Sequence, residues 1–154
     1  MKFLILENIR SAYNVGAIFR TADGAGVEKI FLTGYTPAPT DRFGRVQKEI
    51  DKTSLGASRT IEWEQLESSA AMVKVVSELP ATVVAIEQTA TAMSLTDFVP
   101  PRQVAYILGN EITGVSEEAI AAADQSVYIP MLGTKESLNV SVAAGIVLYH
   151  KLHA

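Results

Sequence analysis

The chain has no cysteine, so disulfide staples, thiolate zinc sites and a cysteine nucleophile are excluded together. Histidine is nearly as scarce. His150 and His153 stand near the C-terminus with no third ligand type beside them, which argues against a metal site and reads as a loose, solvated helix end. No apolar run reaches the ~20 residues of a membrane span, and the four apolar residues Phe3 to Leu6 before Glu7 are too few for a secretory leader. The expectation is therefore a cytoplasmic protein. Repeats and low-complexity tracts are also missing. What remains is ordinary: 154 residues, 48% hydrophobic and 19% charged, suit one globular domain able to bury roughly 68–70% of its unfolded surface.

A net charge of −4 speaks at first against a nucleic-acid partner, but the charge is divided unevenly. Residues 1–60 carry nine basic groups against six acidic ones, and the rest carries four against eleven. Arg42, Arg45, Lys48 and Lys52 fall close together beside Pro37, Pro39 and Gly44. This segment reads as a mobile basic loop able to meet phosphates, or as an ordinary solvated face.

Short β-rich apolar runs alternate with longer helical patterns, which implies βαβ units around a mostly parallel sheet. Strands are expected at Phe3–Leu6, Lys29–Leu32, Thr60–Trp63, Thr82–Ile86, Val104–Leu108 and Val127–Ile129. Helices are expected at about Asn14–Ala25, Val46–Leu55, Gln65–Leu79, Ser116–Ala123 and Ser137–Leu152. Ser116 suits a helix cap, with Glu117 and Glu118 in the first turn. Runs such as Val104-Ala105-Tyr106-Ile107-Leu108 suggest strands buried on both faces, and ligands should gather at their carboxyl ends. The last helix is apolar nearly all round, from Val140 to Tyr149, so part of it is free to cover a second copy of the chain.

Several motifs fail. Gly109-Asn110-Glu111-Ile112-Thr113-Gly114 has phosphate-loop glycines but is followed by Val115-Ser116 in place of lysine and a hydroxyl residue. Asp23-Gly24-Ala25-Gly26 ends a helix instead of starting one, and Lys29 stands where a third dinucleotide-loop glycine belongs. There is no Gly-x-Ser-x-Gly elbow. Asn139-Val140-Ser141 matches a glycosylation sequon, discounted without a secretory leader.

Three polar patches remain, each just after a strand or at a helix start. They are Asn8-Ile9-Arg10-Ser11-Ala12-Tyr13-Asn14-Val15-Gly16-Ala17-Ile18-Phe19-Arg20-Thr21-Ala22-Asp23, then Leu108 through Ser116, then Ile129-Pro130-Met131 with Glu136-Ser137-Leu138-Asn139-Val140-Ser141-Val142-Ala143-Ala144-Gly145. In this order and at these separations they resemble the three motifs of the SpoU (TrmH-type) family of SPOUT RNA 2′-O-ribose methyltransferases. The resemblance covers nearly the whole chain. It implies a six-stranded α/β domain with helices on both faces and a C-terminal trefoil knot, residues 1–154 forming a single domain without an N-terminal RNA-binding extension. It also implies S-adenosylmethionine as methyl donor, no metal, a homodimer with the last helix at its interface, and RNA as substrate: transfer RNA first, ribosomal RNA second. Asn110 departs from the family, standing where many relatives have serine or another small residue.

On that resemblance Arg20, Asn14, Glu111, Ser137 and Asn139 are the catalytic set. Arginine stays protonated, so Arg20 is expected to clamp a phosphate and stabilise the developing alkoxide; taken alone it would make a surface ion pair with Asp23. Asn14 could orient the ribose or its phosphate, or cap its helix; Glu111 could orient Arg20 or the partner subunit, or be a solvated loop acid; and Ser137 and Asn139 could position the donor or acceptor, or be plain caps. The donor pocket is expected at Ile86, Glu87, Leu108, Gly109, Asn110, Ile129, Pro130, Met131, Ser137 and Leu138, with Gly109 and Gly133 allowing close backbone approach. RNA would meet Arg10, Arg20, Arg42, Arg45 and Lys48, with Tyr35 and Phe43 available for stacking. The alternatives are a catalytically silent donor- or RNA-binding module of the same fold, and an α/β enzyme acting on a small metabolite.

Overall fold

The apolar runs are strands and the periodic stretches between them are helices. A computed structural model of the chain describes residues 1–152, so the expectation for His153 lies outside the described residues. In chain order the elements are β1 (Lys2–Glu7), α1 (Ala12–Gly24), β2 (Lys29–Thr33), α2 (Lys48–Ser54), α3 (Ala57–Thr60), β3 (Glu62–Leu66), α4 (Ser69–Glu78), β4 (Thr82–Ile86), β5 (Met93–Ser94), β6 (Val104–Leu108), α5 (Glu117–Ala122), β7 (Gln125–Tyr128) and α6 (Val140–Tyr149). The strands form one sheet in the order β3-β2-β1-β6-β4-β7-β5. Every pairing in it is parallel.

The sheet differs from the expected six mostly parallel strands by one. The extra strand, β5, has only two residues, paired as Met93↔Val127 and Ser94↔Tyr128, too short to leave an apolar pattern in the sequence. β3 starts later than Thr60 because residues 57–60 turn helically first. α1 starts before Asn14, since Ser11 is the cap and its side chain accepts from the Asn14 amide. α6 starts at Val140, with Asn139 and not Ser137 as its cap. Ser116 caps α5 through the Ala119 amide at 3.2 Å.

Strand alternation sends successive side chains to opposite faces. Leu4, Leu6, Ile30, Leu32, Tyr106 and Leu108 pack with Val15, Ile18 and Phe19 of α1, Ile50 of α2 and Val147 and Leu148 of α6. Phe3, Ile5, Phe31, Ala105 and Ile107 pack on the other face with Met72 and Val76 of α4 and Ala119 of α5. A parallel sheet covered on both sides results. Burial pushes the Tyr106 phenol up to about 12, so it stays neutral in the core.

At the amino ends of the strands, Lys2 Nζ donates to the Ala25 carbonyl at 3.2 Å and the Leu148 carbonyl at 3.3 Å. It ties the ends of α1 and α6 to β1, and burial lowers its pKa. The chain end is not loose at His150: its Nε2 lies 2.9 Å from the Phe98 carbonyl and its ring stacks on Phe98. Docking on the loop before β6 overrides the usual fraying of a helix terminus. Among the described residues no helix is long and apolar enough to cross a membrane.

Ile107 is fully buried in the middle of the sheet. Ile107→Ala should cost about 2–5 kcal/mol, read as a lower urea midpoint at unchanged slope.

Candidate functional site

Because the strands run parallel, β4, β6 and β7 end at one edge of the sheet, and the loops that leave them enclose a cleft of about 480 Å³. That volume lies within the range of small-molecule sites. Of the ten residues expected around a donor, the structure brings nine to this cleft: Ile86, Glu87, Leu108, Gly109, Asn110, Ile129, Met131, Ser137 and Leu138. Pro130 is the exception. Glu136, Val140 and Ala143 of the third motif also line the cleft, as does Gln88, which carried no sequence signal. Among the described residues Thr89 Oγ1, in the loop leaving β4, is the one buried side-chain polar atom without a partner.

The 109–116 loop forms one wall and is held from three sides. A Cβ on Gly109 would overlap the backbone of Gly114 and Val115, and Gly114 has φ +73° with no room for a side chain against the Glu87 carboxylate. Gly133, in contrast, meets nothing within 4 Å, so the close approach expected there does not occur. Glu87 Oε2 accepts from the Val115 amide at 2.9 Å. Glu7, buried at the end of β1, accepts from the Ser116 amide at 2.7 Å and the Ser116 hydroxyl at 2.6 Å. Sequence reasoning missed Glu7. Its signal was an acid closing an otherwise apolar strand.

A polar chain runs from Glu111, which lines the cleft, to Asn14 and Asn139, which do not. Asn139 Nδ2 donates to Asn14 Oδ1 at 3.3 Å, and Asn14 Nδ2 donates to Glu111 Oε1 at 3.4 Å. The Arg10 amide approaches Glu111 Oε2 at 3.5 Å. Asn14 is buried and does not cap its helix. Asn139 does cap one, its Oδ1 accepting from the Ser141 amide at 2.9 Å, while its amide nitrogen serves the chain. Ser137 is exposed in the loop before α6.

Arg20 is not in this cleft. Six residues past Asn14, it sits about 9 Å along the axis and well over a turn round α1, in a second groove with Tyr13, Lys52, Thr53 and Tyr149. Glu111 therefore holds Asn14 and the Arg10 amide, not Arg20. The surface ion pair with Asp23 is absent too: among the described residues Arg20 makes no ion pair, and Asp23 receives the Thr60 hydroxyl.

The basic segment carries local bonds of its own. Thr40 and Val46 bridge antiparallel, and Asp41 Oδ1 accepts from the Phe43 and Arg45 amides at 2.8 and 2.9 Å. The Arg42 and Arg45 guanidiniums lie 4.8 and 5.2 Å from the centre of the exposed Phe43 ring. Arg45 also pairs with Asp41 at 2.7 Å. Arg10, Arg42 and Lys48 are exposed.

The sequence model of the SpoU rRNA methylase family matches residues 1–149. The chain belongs to this family. Among SpoU relatives, the 23S rRNA (guanosine-2′-O-)-methyltransferase RlmB of Bordetella pertussis is 33% identical over 150 residues, 97% of this chain and 58% of that protein. The chain thus spans well under two thirds of that relative. An AdoMet-bound rRNA methyltransferase from Sinorhizobium meliloti superposes with a TM-score of 0.85 at 27% identity, covering 97% of this chain and 54% of that one. A structure solved for the 2-OH methylation of C/U34 on tRNA gives a TM-score of 0.79 at 26% identity, covering 97% and 92% of the two chains.

The backbone amide of Arg45 foremost holds the Asp41 carboxyl below its usual 3.8; burial opposes it, and the Arg45 guanidinium and the Phe43 amide add to the lowering. A depressed folded value means the stabilisation by these bonds is fully present above the unfolded pKa and lost as pH falls through the folded one. The Phe43 and Arg45 amide resonances should stay constant from neutral pH down to about 4 and shift below it, as NMR titration will read.

Proposed function

We propose that this chain transfers a methyl group from S-adenosylmethionine to a ribose 2′-oxygen of RNA. The observation that carries the reading is the cleft at the carboxyl ends of β4, β6 and β7, assembled from the second and third of the motifs shared with the family. Its residues suit the donor: Ile86, Leu108, Ile129 and Leu138 offer apolar walls for adenine, main-chain groups beside Gly109 can read its edge, and Glu87 and Ser137 add polar contacts. When bound, S-adenosylmethionine supplies a methyl carbon already activated by the sulfonium charge.

The protein's own work is then alignment and charge stabilisation. The Asn139–Asn14–Glu111 chain would orient the acceptor ribose at the mouth of the cleft. The acceptor 2′-oxygen forms the new C–O bond as the C–S bond breaks, and its proton passes to a phosphate oxygen or water. Arg20, always protonated, would clamp the adjacent phosphate and stabilise the developing alkoxide.

Since Arg20 lies in another groove, the reading includes a homodimer. α6 presents Val142, Ile146 and Tyr149 to solvent, 49%, 39% and 50% exposed, and Tyr149 borders the Arg20 groove. Pairing of two copies through α6 would carry Arg20 of one toward the cleft of the other. Residues 1–154 are read as one methyltransferase domain whose C-terminal segment closes a trefoil knot. RNA recognition would rest on Arg10, Arg42, Arg45 and Lys48 with the Phe43 platform, and work in the cytoplasm follows. The structure solved for tRNA methylation, which this chain covers over 92% of its length, favours transfer RNA; ribosomal RNA is the second choice. The separation of Arg20 from the cleft favours one other reading, a silent donor- or RNA-binding module.

Incubation with methyl-labelled S-adenosylmethionine and total small RNA, then digestion to nucleosides, should give a labelled 2′-O-methylnucleoside. Arg20→Ala should cut the rate about 10²- to 10³-fold while leaving donor affinity unchanged by calorimetry. Donor binding without transfer to any small or ribosomal RNA would establish the silent module.

If four phosphates are held, log affinity for single-stranded RNA should fall with log salt at a slope of about −3. Salt-independent binding would remove the basic segment from the interface.

A further inference from the structure

The side chain of Asn110 has four hydrogen-bonding positions, two N–H donors and two acceptor sites on Oδ1. All four are used within the protein. Oδ1 accepts from the Ile112 amide at 2.8 Å and the Thr113 amide at 2.9 Å, while Nδ2 donates to the Asn8 carbonyl at 2.9 Å and the Tyr35 hydroxyl at 2.8 Å. Nothing on this side chain is left for a ligand, although it stands in the wall of the cleft. Its work is to hold the loop.

The fourth partner closes a ring. Asn8 Oδ1 accepts from the Tyr35 amide at 3.2 Å, so Asn8, Tyr35 and Asn110 are joined in a circuit across the loops that follow β1, β2 and β6. These are three neighbouring strands of the sheet, and Asn8 takes φ +55° to fit. Tyr35 is 60% exposed, on the loop that continues into the basic segment. Only its hydroxyl reaches inward.

Building on the methyl-transfer reading, we infer that Tyr35 is a positioning residue for the donor: its hydroxyl, through Asn110, fixes the 110–114 loop in the shape that binds S-adenosylmethionine. A serine at position 110 has one donor and a shorter reach, so it could not hold Tyr35, Asn8 and two loop amides together. The Tyr35 link is therefore tied to the asparagine of this chain.

Tyr35→Phe removes the hydroxyl and keeps the exposed ring, and Tyr35→Ala removes both. The affinity of the full chain for S-adenosylmethionine, measured by calorimetry without RNA, should fall about five-fold in both variants, as the loss of one hydrogen bond worth ~1 kcal/mol predicts. The Ile112 and Thr113 amides should exchange faster with deuterium, and kcat at saturating donor should be retained in Tyr35→Phe. Unchanged donor affinity in Tyr35→Phe overturns the inference whatever the exchange shows. So does a loss in Tyr35→Ala alone, which would assign the effect to the ring, and so does a fall in donor affinity that matches only the unfolded fraction. Failure of the unaltered protein to bind the donor would overturn the methyl-transfer reading and this inference with it.

Discussion

Each loop of the cleft begins where a parallel strand stops, and a strand that stops leaves backbone amides and carbonyls without ladder partners. Those groups must be satisfied, because an unpaired buried donor costs about 1–3 kcal/mol. Here side chains at or just past the ends of β1, β2 and β4 do it. Glu7 takes the amide and hydroxyl of Ser116, Glu87 takes the amide of Val115, and Thr36 links the Ile9 amide to the Leu6 and Thr33 carbonyls. The shape of the cleft is thus set by backbone satisfaction before any ligand enters. Two carboxylates hold the wall, and each serves a main-chain group, so the wall can be rigid although no regular element runs through it.

The same economy explains the glycines. Gly109 and Gly114 close a tight bridge in which residues 110 and 114 exchange backbone hydrogen bonds. A side chain at either position would have to displace backbone or the Glu87 carboxylate. The dipeptide spacing that looks like a phosphate loop in the sequence is therefore a turn built for close packing, and its amides point into the protein network instead of toward a phosphate.

Where periodicity carries the information, the sequence was readable. The four strands with continuous apolar runs, β1, β2, β4 and β6, and the Ser116 cap lie within a residue of their expected places, and nine of the ten residues expected around a donor line one cleft, which opens where strand ends in a parallel sheet converge. What could not be read is what depends on chain crossings far apart in sequence. β5 exists only because residues 93–94 meet β7. Ser11 displaces Asn14 as cap because Asn14 is engaged by Glu111 and Asn139, 97 and 125 residues away. His150 is ordered by Phe98, 52 residues away. Glu7 looked like the polar end of a strand and is instead a buried pin to Ser116. In each case local propensity was outweighed by a long-range polar contact that no pattern within a window of sequence records.

Arg20 shows how far one chain can take the chemistry. α1 carries both Asn14, bonded to Glu111 of the cleft wall, and Arg20, in the second groove. Helix geometry separates them by about 9 Å along the axis. The helix is not free to turn: Gly16 packs directly on Thr53 of α2 with no space for a Cβ, and Gly24 meets the Tyr149 hydroxyl of α6. Rotation of α1 would also expel Ile18 and Phe19 from the core. On the reading proposed above, a reaction that uses the asparagine network and the arginine together would draw on a second surface, and the exposed apolar residues of α6 beside the Arg20 groove are where this chain would offer one.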